Sequence, residues 1–310
     1  MNKSAKIYVA GHKGMVGSAI VRRLTELGYS NLVLRTHEEL DLTRQDKVEE
    51  FFEKEKPEYV FLAAAKVGGI GANSAALADF MYENMIMEMN VIHAAFLSGV
   101  KKLEFLGSSC IYPREAPQPI KEEYLMTGAL EKTNEGYALA KISGLKYCEF
   151  LNAQYGTDYI SVMPTNLYGP NDNYDPERSH VLPALIRRFH EAKEKNLPEV
   201  TCWGDGSPLR EFLYVDDLAD LCVFLMNNYS GSETVNAGCG KELTIRELTE
   251  MVADIIGYKG IINWDISKPN GTPRKLLDIS KASKMGWIYK TELCDGIAKT
   301  YEFYKESLID

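Results

Sequence analysis

A tyrosine and a lysine that lie four residues apart are the first candidates for chemistry in this sequence. Tyr137 and Lys141 begin an apolar pattern with a period near 3.6, and their i, i+4 spacing places them on one face of a helix. A phenol with a pKa of about 10 is a poor proton shuttle at neutral pH, but an adjacent ammonium favours the phenolate. The pair is therefore suited to passing a proton to a carbonyl oxygen as a hydride arrives. A Y-x-x-x-K spacing alone is common, and by itself it indicates a structural role more often than a catalytic one.

A second set of candidate side chains ends the strand-like segment FLGSSCIYP at residues 105–113. Parallel α/β sheets bind their ligands at this end of the strands. With a two-residue period, Ser108 and Cys110 point to one side and Ser109 to the other. Ser108 is predicted to donate a hydrogen bond to a substrate carbonyl, with Cys110 beside it. The alternative for Cys110 is a packed thiol that behaves as a small hydrophobic residue.

The first strand-like run, residues 7–10, leads directly into a glycine-rich turn with the spacing G-x-x-G-x-x-G. Glycines are needed where the backbone turns sharply, approaches a pyrophosphate and packs against a neighbouring helix. Because a helical pattern follows at once, the helix N-terminus is expected to face the phosphates of a dinucleotide. The turn residues predicted to contact this cofactor are Gly11, His12, Lys13, Gly14, Met15, Val16 and Gly17.

Basic residues near the end of the second predicted strand favour NADP(H) over NAD(H). An NAD site usually places an acid there, whereas a 2′-phosphate requires cations. Lys13 and Arg35 are predicted to bind the 2′-phosphate, with His37 as a third donor. The alternative is a set of solvated charges, because Glu38 and Glu39 follow immediately. Further cofactor contacts are predicted at Asp41, Leu42, Ala64 and Ala65.

Short β-branched or aromatic runs alternate with longer helical patterns in the first half of the chain. This alternation predicts an α/β fold with a doubly wound parallel sheet of the Rossmann type. The candidate strands are KIYVA, NLVLR, EYVFLAA, KLEFLGS and DYISVMP. The second half is richer in turns, so we predict a cofactor domain at 1–170, rejoined by a return segment at 211–238, and a smaller substrate domain at 171–310. Thr244 and Glu247 have the pattern of a helix-capping box.

The composition disfavours several classes of function. The formal net charge is -9, which opposes binding to nucleic acid or to an anionic membrane. The six cysteines are scattered without a C-x-x-C pair, so neither a metal site nor a disulfide framework is indicated. No apolar run approaches membrane-spanning length, and no signal peptide precedes the first strand. A cytoplasmic location is therefore expected.

Together, these motifs resemble the extended short-chain dehydrogenase/reductases that act on sugar nucleotides. The resemblance covers nearly the whole chain and is most specific in the segments SSCIYP and SHVLPALIRRFHEA. More narrowly, the chain is similar to the family members that use NADPH to convert GDP-4-keto-6-deoxymannose (GDP-4-dehydro-6-deoxy-D-mannose) to GDP-L-fucose. The resemblance implies epimerisation at carbons 3 and 5, reduction of the 4-keto group, and a homodimer formed by the helices around 81–95 and 137–155.

The same resemblance implies roles for individual residues. Ser108, Tyr137 and Lys141 would form the reductase triad, and Cys110 and His180 the acid/base pair of epimerisation. Independently, cysteine and histidine have ordinary pKa values on either side of neutrality, as two-sided proton transfer requires. The further NADP(H) contacts implied are Leu106, Gly107, Lys141, Pro164, Thr165, Asn166, Leu167 and His180. The GDP-sugar contacts implied are Ser108, Ser109, Asn166, Arg188, Trp203, Arg210 and Asn270.

The sequence departs from the family pattern at three positions and leaves two alternatives open. Lys13 and His37 stand where arginine is typical, and Asn270 where aspartate is typical. A 4-epimerase or 4,6-dehydratase on the same scaffold would retain NAD, and a dehydratase would need an acidic pair near Ser108. A non-catalytic NADP-sensing protein is the alternative from a different class, which the complete triad argues against.

Overall fold

A six-stranded sheet lies at the centre of the computed structural model, which describes residues 1–176, 178–268 and 270–309. Three residues of the predicted substrate domain lie outside the described ones: Glu177, Pro269 and Asp310. The strands of the described residues are β1 (Ile7–Ala10), β2 (Leu32–Val33), β3 (Tyr59–Leu62), β4 (Lys102–Leu106), β5 (Tyr159–Pro164), β6 (Asn166–Tyr168), β7 (Glu199–Trp203), β8 (Leu209–Arg210), β9 (Phe212–Tyr214), β10 (Val235–Ala237), β11 (Leu243–Thr244), β12 (Ile261–Asp265) and β13 (Arg274–Lys275). Their α-helices are α1 (Met15–Glu26), α2 (Gln45–Glu55), α3 (Ile70–Ala75), α4 (Leu77–Leu97), α5 (Glu135–Tyr155), α6 (Val181–Glu194), α7 (Val215–Asn228), α8 (Ile245–Ile256), α9 (Ser280–Lys284) and α10 (Leu293–Glu306).

All strands of the central sheet run parallel, in the order β10-β5-β4-β3-β1-β2. This confirms the predicted doubly wound sheet. The chain moves from β1 to β2 in one direction and from β3 onward in the other, so the topological switch lies between β1 and β3. Open α/β sheets bind ligands in the crevice beyond the carboxyl ends of the strands at such a switch. The glycine turn follows β1 and the predicted alanine contacts follow β3, so both lie at this crevice.

Helices cover both faces of the sheet because its strands are apolar on both sides. On one face, α2, α4 and α5 contribute Phe52, Val91 and Leu145 to a buried core. On the other face, α1 and α7 contribute Ile20 and Leu221 to a second core. The central strands are buried on both sides, and their carboxyl ends are held at one common edge.

A third core lies outside the central sheet. Phe189 of α6, Leu248 of α8 and Ile297 of α10 pack together there with residues of β7. The chain crosses back to the first cores, since β10 pairs with β5 and α7 packs on α1. The chain crosses back once more, outside the predicted return segment 211–238. This second crossing brings Trp287 into the core formed by α1 and α7.

Most of the predicted elements form, with differences at their ends. The predicted strand at 31–35 shortens to the two residues of β2. Beyond β4, Ser109–Ile111 form a short 3-10 turn instead of continuing the strand. The predicted capping box is confirmed: the Thr244 hydroxyl accepts from the Glu247 N–H at 3.1 Å, and the Glu247 carboxylate accepts from the Thr244 N–H at 2.7 Å.

The described residues contain no helix with the length and apolarity needed to cross a bilayer. They also contain no group of three or more His, Cys, Asp or Glu side chains arranged to hold a metal ion. The cysteines are free thiols, and Cys110 is one of the two that are partly exposed.

Candidate active site

The turn after β1 requires glycine at two of its three glycine positions. Gly11 has a φ of +83°, and a Cβ at this residue would lie 2.8 Å from the Ala64 backbone. A Cβ at Gly17 would lie 2.1 Å from the Gly11 carbonyl oxygen, because α1 packs closely on the turn. Gly14 is less constrained, since its nearest neighbour would be the Gly11 oxygen at 3.4 Å. The turn is therefore tightly packed on the sheet side and open at the start of α1.

The start of α1 fits the phosphates of a dinucleotide. No side chain caps the helix N-terminus at Gly14, and the first turn contains no acidic residue. The free N–H groups and the positive end of the helix dipole favour an anion at this position. The buried Nδ1 atom of His12 also has no hydrogen-bond partner among the described residues. Met15 and Val16, which were also predicted to contact the cofactor, are partly exposed beside this opening.

The three predicted ligands of the 2′-phosphate have different surroundings. Lys13 is exposed, and no carboxylate within the described ranges forms an ion pair with it. His37 is also exposed, with its Nδ1 4.0 Å from the Asp41 carboxylate. Arg35 is already paired, because its guanidinium donates to the Glu55 carboxylate at 2.6 Å. Lys13 is therefore the most accessible cation for a 2′-phosphate, whereas Arg35 would have to exchange or share its carboxylate partner.

Residues after β2 and β3 continue the cofactor crevice. Ala64 and Ala65 are partly exposed, as side chains that line a channel should be. The Asp41 carboxylate accepts hydrogen bonds from the Thr43 N–H at 2.9 Å and hydroxyl at 2.7 Å, and these bonds lower the pKa of Asp41. The Leu42 side chain is buried in a core, so only its backbone is available to a ligand.

The ends of β4 and β5 form the floor of the crevice. Gly107 permits a close approach of the two strands, since a Cβ there would lie 2.2 Å from Cε of Met163. The side chains of Thr165 and Asn166 donate to the Glu211 carbonyl at 3.3 Å and 2.9 Å. The other predicted contacts in this region are the buried Leu106 and Pro164 and the partly exposed Leu167.

Ser108, Tyr137 and Lys141 lie together at the edge of this crevice. Ser108 lies close enough to Tyr137 to lower its pKa, and the Ser108 hydroxyl accepts a hydrogen bond from the Cys110 N–H at 3.2 Å. Lys141 donates from Nζ to the Leu106 carbonyl at 2.9 Å, and its Nζ lies 5.8 Å from the centre of the Tyr137 ring. The structure thus brings together the three side chains predicted for proton transfer to a carbonyl.

The electrostatics around Tyr137 differ from the sequence-based expectation. Burial raises the pKa of Tyr137, the charges of Cys110 and Glu88 act in the same direction, and the nearby side chain of Ser108 opposes them. The sequence predicted that Lys141 would favour the phenolate, but the Glu88 carboxylate lies 2.8 Å from its Nζ and offsets its charge. Tyr137 is therefore a protonated phenol, which is the form that can donate a proton.

Cys110 lies beside the triad and contacts a cation that the sequence did not reveal. Its Sγ is 3.5 Å from Nζ of Lys275, at the end of β13. Ser108 and Cys110 differ from Ser109 in exposure, as the predicted alternation requires. Ser108 and Cys110 are partly exposed, whereas Ser109 is buried, with only 3% of its surface exposed. The substrate contact at Ser109 stays a prediction, which this burial disfavours.

His180 precedes α6 at the N-cap position, and it lies close enough to Lys275, the neighbour of Cys110, to be affected by its charge. Desolvation by the surrounding protein lowers the pKa of His180, and the charge of Lys275 acts in the same direction. The residue as a whole is nevertheless exposed to solvent. Because the positive end of a helix dipole also disfavours an imidazolium, His180 is a neutral imidazole at neutral pH. Lys275 therefore acts on both members of the predicted Cys110 and His180 pair.

The predicted substrate residues of the second half surround an exposed aromatic ring. Trp203 is 64% exposed at the end of β7. Arg188 reaches this strand from α6 and donates to the Thr201 carbonyl at 2.9 Å. Asn270 accepts from the Asp205 N–H at 3.0 Å, so it shapes the loop that follows the tryptophan. The exposed indole offers a flat surface to which a planar ring can stack.

Arg210 lies between this surface and Cys110. Burial lowers the pKa of Arg210, and the charge of Cys110 opposes that effect. No carboxylate of the described chain lies within ion-pair distance of its guanidinium, which donates one hydrogen bond to the Leu209 carbonyl at 2.8 Å. A desolvated cation without a carboxylate partner is suited to binding an anionic ligand.

Sequence reasoning missed three charged residues of this region: Glu88, Glu211 and Lys275. Glu88 offered one usable signal, because it is the only acid in the apolar run MIMEM. A lone charge in such a run indicates a buried partner. Glu211 and Lys275 lie in short, irregular segments whose neighbours are distant in sequence. Only the folded structure reveals their contacts.

A Rossmann-type sheet with an open dinucleotide cradle beside a Ser-Tyr-Lys triad defines a nucleotide-dependent oxidoreductase of the short-chain type. The model of the NAD dependent epimerase/dehydratase family matches residues 7–238, which include the glycine turn and the triad. The chain belongs to this family.

Individual relatives are similar to the chain over nearly its whole length. GDP-L-fucose synthase 1 of Arabidopsis thaliana is 62% identical over 99% of this chain and 95% of its own length. GDP-L-fucose synthase of Escherichia coli is 52% identical over 97% of both chains. Among solved structures, MlghC, a GDP-mannoheptose C4 reductase from Campylobacter jejuni with NADP bound, is 44% identical, covers 98% of this chain and 99% of its own, and has a TM-score of 0.91.

The accessible position of Lys13 leads to a prediction about cofactor choice. Lys13→Ala should weaken NADPH binding at least tenfold and leave NADH binding unchanged, because a charge-assisted hydrogen bond contributes about 1.5 to 3 kcal/mol. Arg35→Ala is the matched control and should have a smaller effect, since Arg35 is already paired with Glu55. Calorimetric titration of each variant with both cofactors measures the difference. Equal affinities of the unmodified protein for NADPH and NADH would contradict the assignment.

Proposed function

We propose that this chain is an NADPH-dependent epimerase and reductase that converts GDP-4-keto-6-deoxymannose to GDP-L-fucose. One observation carries the proposal: Lys275 contacts Cys110 beside the Ser-Tyr-Lys triad and also acts on His180, so two sets of proton-transfer groups are neighbours. The Ser108, Tyr137 and Lys141 set suits carbonyl reduction, whereas Cys110 and His180, joined by Lys275, suit proton transfer at carbon. The two relatives that are GDP-L-fucose synthases, at 62% and 52% identity, support the same substrate.

Reduction of the 4-keto group uses the triad. NADPH, held by the glycine turn and the start of α1, supplies the hydride to carbon 4 when it is bound. Ser108 and Tyr137 donate hydrogen bonds to the ketone oxygen, and Tyr137 gives up its proton to the alkoxide that forms. The raised pKa of Tyr137 suits this direction because the phenol is protonated before the reaction. The ammonium of Lys141 then stabilises the phenolate.

Epimerisation uses the other pair. The 4-keto group acidifies the hydrogens on carbons 3 and 5, and inversion requires one group to remove a proton and another to return a proton to the opposite face. Cys110 and His180 supply two such groups. The lowered pKa of His180 keeps its imidazole neutral and able to accept a proton. The ammonium of Lys275 beside Cys110 stabilises negative charge on the sulfur.

The nucleotide part of the substrate is assigned to the cleft lined by the second half of the chain. Arg188 and Arg210 are suited to the diphosphate because guanidinium groups bind phosphate oxygens in a bidentate manner. The exposed indole of Trp203 is suited to the guanine ring. Asn270 acts through the loop that carries this indole rather than through a free side-chain oxygen, which already accepts the Asp205 N–H.

A reductase without epimerase activity is the nearest alternative, because one similar solved structure is a GDP-mannoheptose C4 reductase. The presence of Cys110 beside the triad, with Lys275 next to both Cys110 and His180, favours the combined reaction. A 4-epimerase or dehydratase with retained NAD is disfavoured by the exposed cation Lys13 at the cofactor turn. A non-catalytic NADP-sensing role does not explain why all three residues of the triad are present.

A homodimer built on α4 and α5 is also part of the proposal. The two helices pack side by side and together expose large apolar side chains, including Met81, Tyr82, Leu139, Phe150 and Tyr155. A two-helix apolar face is self-complementary under twofold symmetry and suits an isologous interface. Sedimentation of the purified protein at twice the monomer mass is the expected result.

The chain is further proposed to divide into a cofactor domain, 1–170 with the return segment 211–238, and a substrate domain, 171–310. The pairing of β10 with β5 supports the return segment. The packing of Trp287 on the cofactor side supports one more crossing between the two parts.

We also propose a cytoplasmic location, which suits free thiols and a pool of NADPH.

The decisive experiment is incubation with NADPH and GDP-4-keto-6-deoxymannose in heavy water. The proposed function predicts GDP-L-fucose that carries deuterium at carbons 3 and 5. Reduction without deuterium at these carbons would identify a simple C4 reductase instead.

Tyr137→Phe should abolish reduction while keeping the fold and cofactor affinity, because only the proton donor is removed. Loss of general-acid catalysis typically slows a reaction by about 10²- to 10⁴-fold. The rate of NADPH consumption, with NADPH affinity as the control, checks this expectation. Near-normal turnover would exclude Tyr137 from the mechanism.

Cys110→Ser should separate the two reactions. The hydroxyl resembles the thiol in shape but is far less acidic, so proton exchange beside the ketone should collapse while NADPH binding persists. Incubation in heavy water without NADPH isolates this step, and mass spectrometry of the sugar measures it. Unchanged deuterium uptake by the variant would falsify the acid/base role of Cys110.

The depressed pKa of His180 sets the pH dependence of proton exchange. A neutral imidazole is needed to accept a proton, so exchange should persist as the pH falls through the ordinary histidine value of 6.5 and decline only below it. Lys275→Met removes a charge that lowers the pKa of His180, so the decline should move to higher pH. The pH profile of deuterium uptake measures both effects. A decline at the same pH in the unmodified protein and the variant would exclude this influence of Lys275.

A further inference from the structure

A buried ion pair lies directly beneath the proposed proton donor. The Glu88 carboxylate of α4 is 2.8 Å from Nζ of Lys141, and the exposed fractions of these side chains are 0% and 2%. Neither the reduction nor the epimerisation derived above uses Glu88. Ion pairs in the protein interior are costly to desolvate, so this pair is not explained by stability alone.

The surroundings hold the carboxylate in one place. Gly144 of α5 leaves the space that Glu88 occupies, since a Cβ at Gly144 would lie 2.9 Å from its Oε2. The ring of Phe105 lies on the other side of the ammonium, with its centre 4.9 Å from the Lys141 Nζ. The Leu106 carbonyl accepts a hydrogen bond from this ammonium at 2.9 Å. Lys141 is therefore fixed by three neighbours from α4 and β4.

The charged groups that face Tyr137 come from three segments. Lys141 lies one turn beyond Tyr137 on α5. The charges of Glu88, on α4, and of Cys110, in the turn after β4, also act on Tyr137. Glu88 also faces the Cys148 thiol of α5, which burial keeps protonated by raising its pKa. Burial raises the pKa of Glu88, and the ammonium of Lys141, 2.8 Å away, opposes that effect by favouring the ionised carboxylate. The positive charge of Lys141 favours the phenolate, whereas the negative charge of Glu88 favours the phenol. The balance between these two charges sets the protonation state of Tyr137.

We propose that Glu88 is a positioning residue that anchors the ammonium of Lys141 and offsets its charge, so that Tyr137 remains a phenol until a ketone oxygen takes its proton. The inference rests on the proposed function, because it concerns the direction in which the triad works. Reduction requires the protonated form of Tyr137, whereas oxidation of an alcohol requires the phenolate. Glu88 therefore biases the site toward reduction.

Glu88→Gln tests this role because the amide keeps the shape and one acceptor oxygen but removes the charge. Tyr137 should then ionise at a pH lower by about one unit or more, a tenfold change in the ratio of phenolate to phenol. The ultraviolet absorbance of tyrosinate measures this ionisation in the cofactor-free protein. Subtracting the same titration of a Tyr137→Phe counterpart in each background isolates the signal of Tyr137.

Glu104→Gln is the matched control. Glu104 is also fully buried, but it lies on the opposite face of β4, beside Cys222 of α7. Burial raises the pKa of Glu104 well above its ordinary value, so its substitution tests the general effect of replacing a buried carboxyl group and should leave the titration of Tyr137 and the reduction rate unchanged. Glu88→Asp keeps the charge but moves it away from Lys141, so it should shift the Tyr137 titration less than Glu88→Gln does.

The pH profile of reduction provides a second measurement. In Glu88→Gln, the rate of NADPH consumption should begin to fall at lower pH than in the unmodified protein, because the phenol is lost earlier. Identical Tyr137 titrations in the two proteins, at every pH at which both remain folded, would overturn the role of Glu88. The proposed function fails by a different result, namely full reductase activity of Tyr137→Phe, so the two failures are distinguishable.

If Glu88→Gln does not fold, Glu88→Asp carries the test alone. Its shorter side chain should move the carboxylate away from Lys141 and shift the Tyr137 titration in the same direction by a smaller amount. An unshifted titration in a folded Glu88→Asp protein would also overturn the proposal.

Discussion

One buried carboxylate joins the segments that build the cleft. Glu211 is fully buried, and its carboxylate accepts the backbone N–H groups of Cys239 at 2.7 Å, Gly240 at 2.6 Å and Leu277 at 3.1 Å. Its own carbonyl accepts the side-chain amide of Asn166 at 2.9 Å. Burial raises the pKa of Glu211, and these N–H donors oppose that effect by stabilising the ionised form. The segment after β5, the loop after β10 and the chain beyond β13 are thus fixed to the same residue.

This constraint complements the one imposed by the sheet. Parallel strands bring the ends of β1, β3, β4 and β5 to a common edge, which accounts for the cofactor cradle and the triad. The sheet does not by itself position Lys275, which lies on a two-residue strand outside it. Because Leu277 is bound to Glu211, the preceding residues of β13 are held against the cleft, and Lys275 reaches Cys110. The position of the proposed reductase triad therefore depends on the sheet, whereas the position of the proposed epimerisation pair depends also on the Glu211 contacts.

The sequence predicted the features that follow from local patterns. Hydrophobic periodicity located five of the six strands of the central sheet and the helices between them, and the glycine spacing located the cofactor turn, because each pattern spans only a few neighbouring residues. Periodicity did not identify β10, which joins the sheet from the predicted return segment. The surroundings of Arg35 could not be predicted in this way, since its partner Glu55 lies 20 residues away at the end of α2. Glu88 and Lys275 escaped prediction for the same reason: their roles depend on contacts between helices and strands that are distant in sequence. The predicted roles of the individual site residues stay predictions until the variants are measured.

The distribution of charge shows why such an acidic protein can bind an acidic ligand. The chain has a formal net charge of -9, and many of its cations form ion pairs with carboxylates. Arg188, Arg210 and Lys275 have no carboxylate partner among the residues that the structure describes, and each contacts instead a carbonyl or a thiol. A partly desolvated cation without a counter-ion is unfavourable in the free protein, so a diphosphate that enters the cleft supplies the missing charge and gains affinity from it. In the proposed function, these cations would attract the ligand by a local field whose sign is opposite to that of the whole molecule.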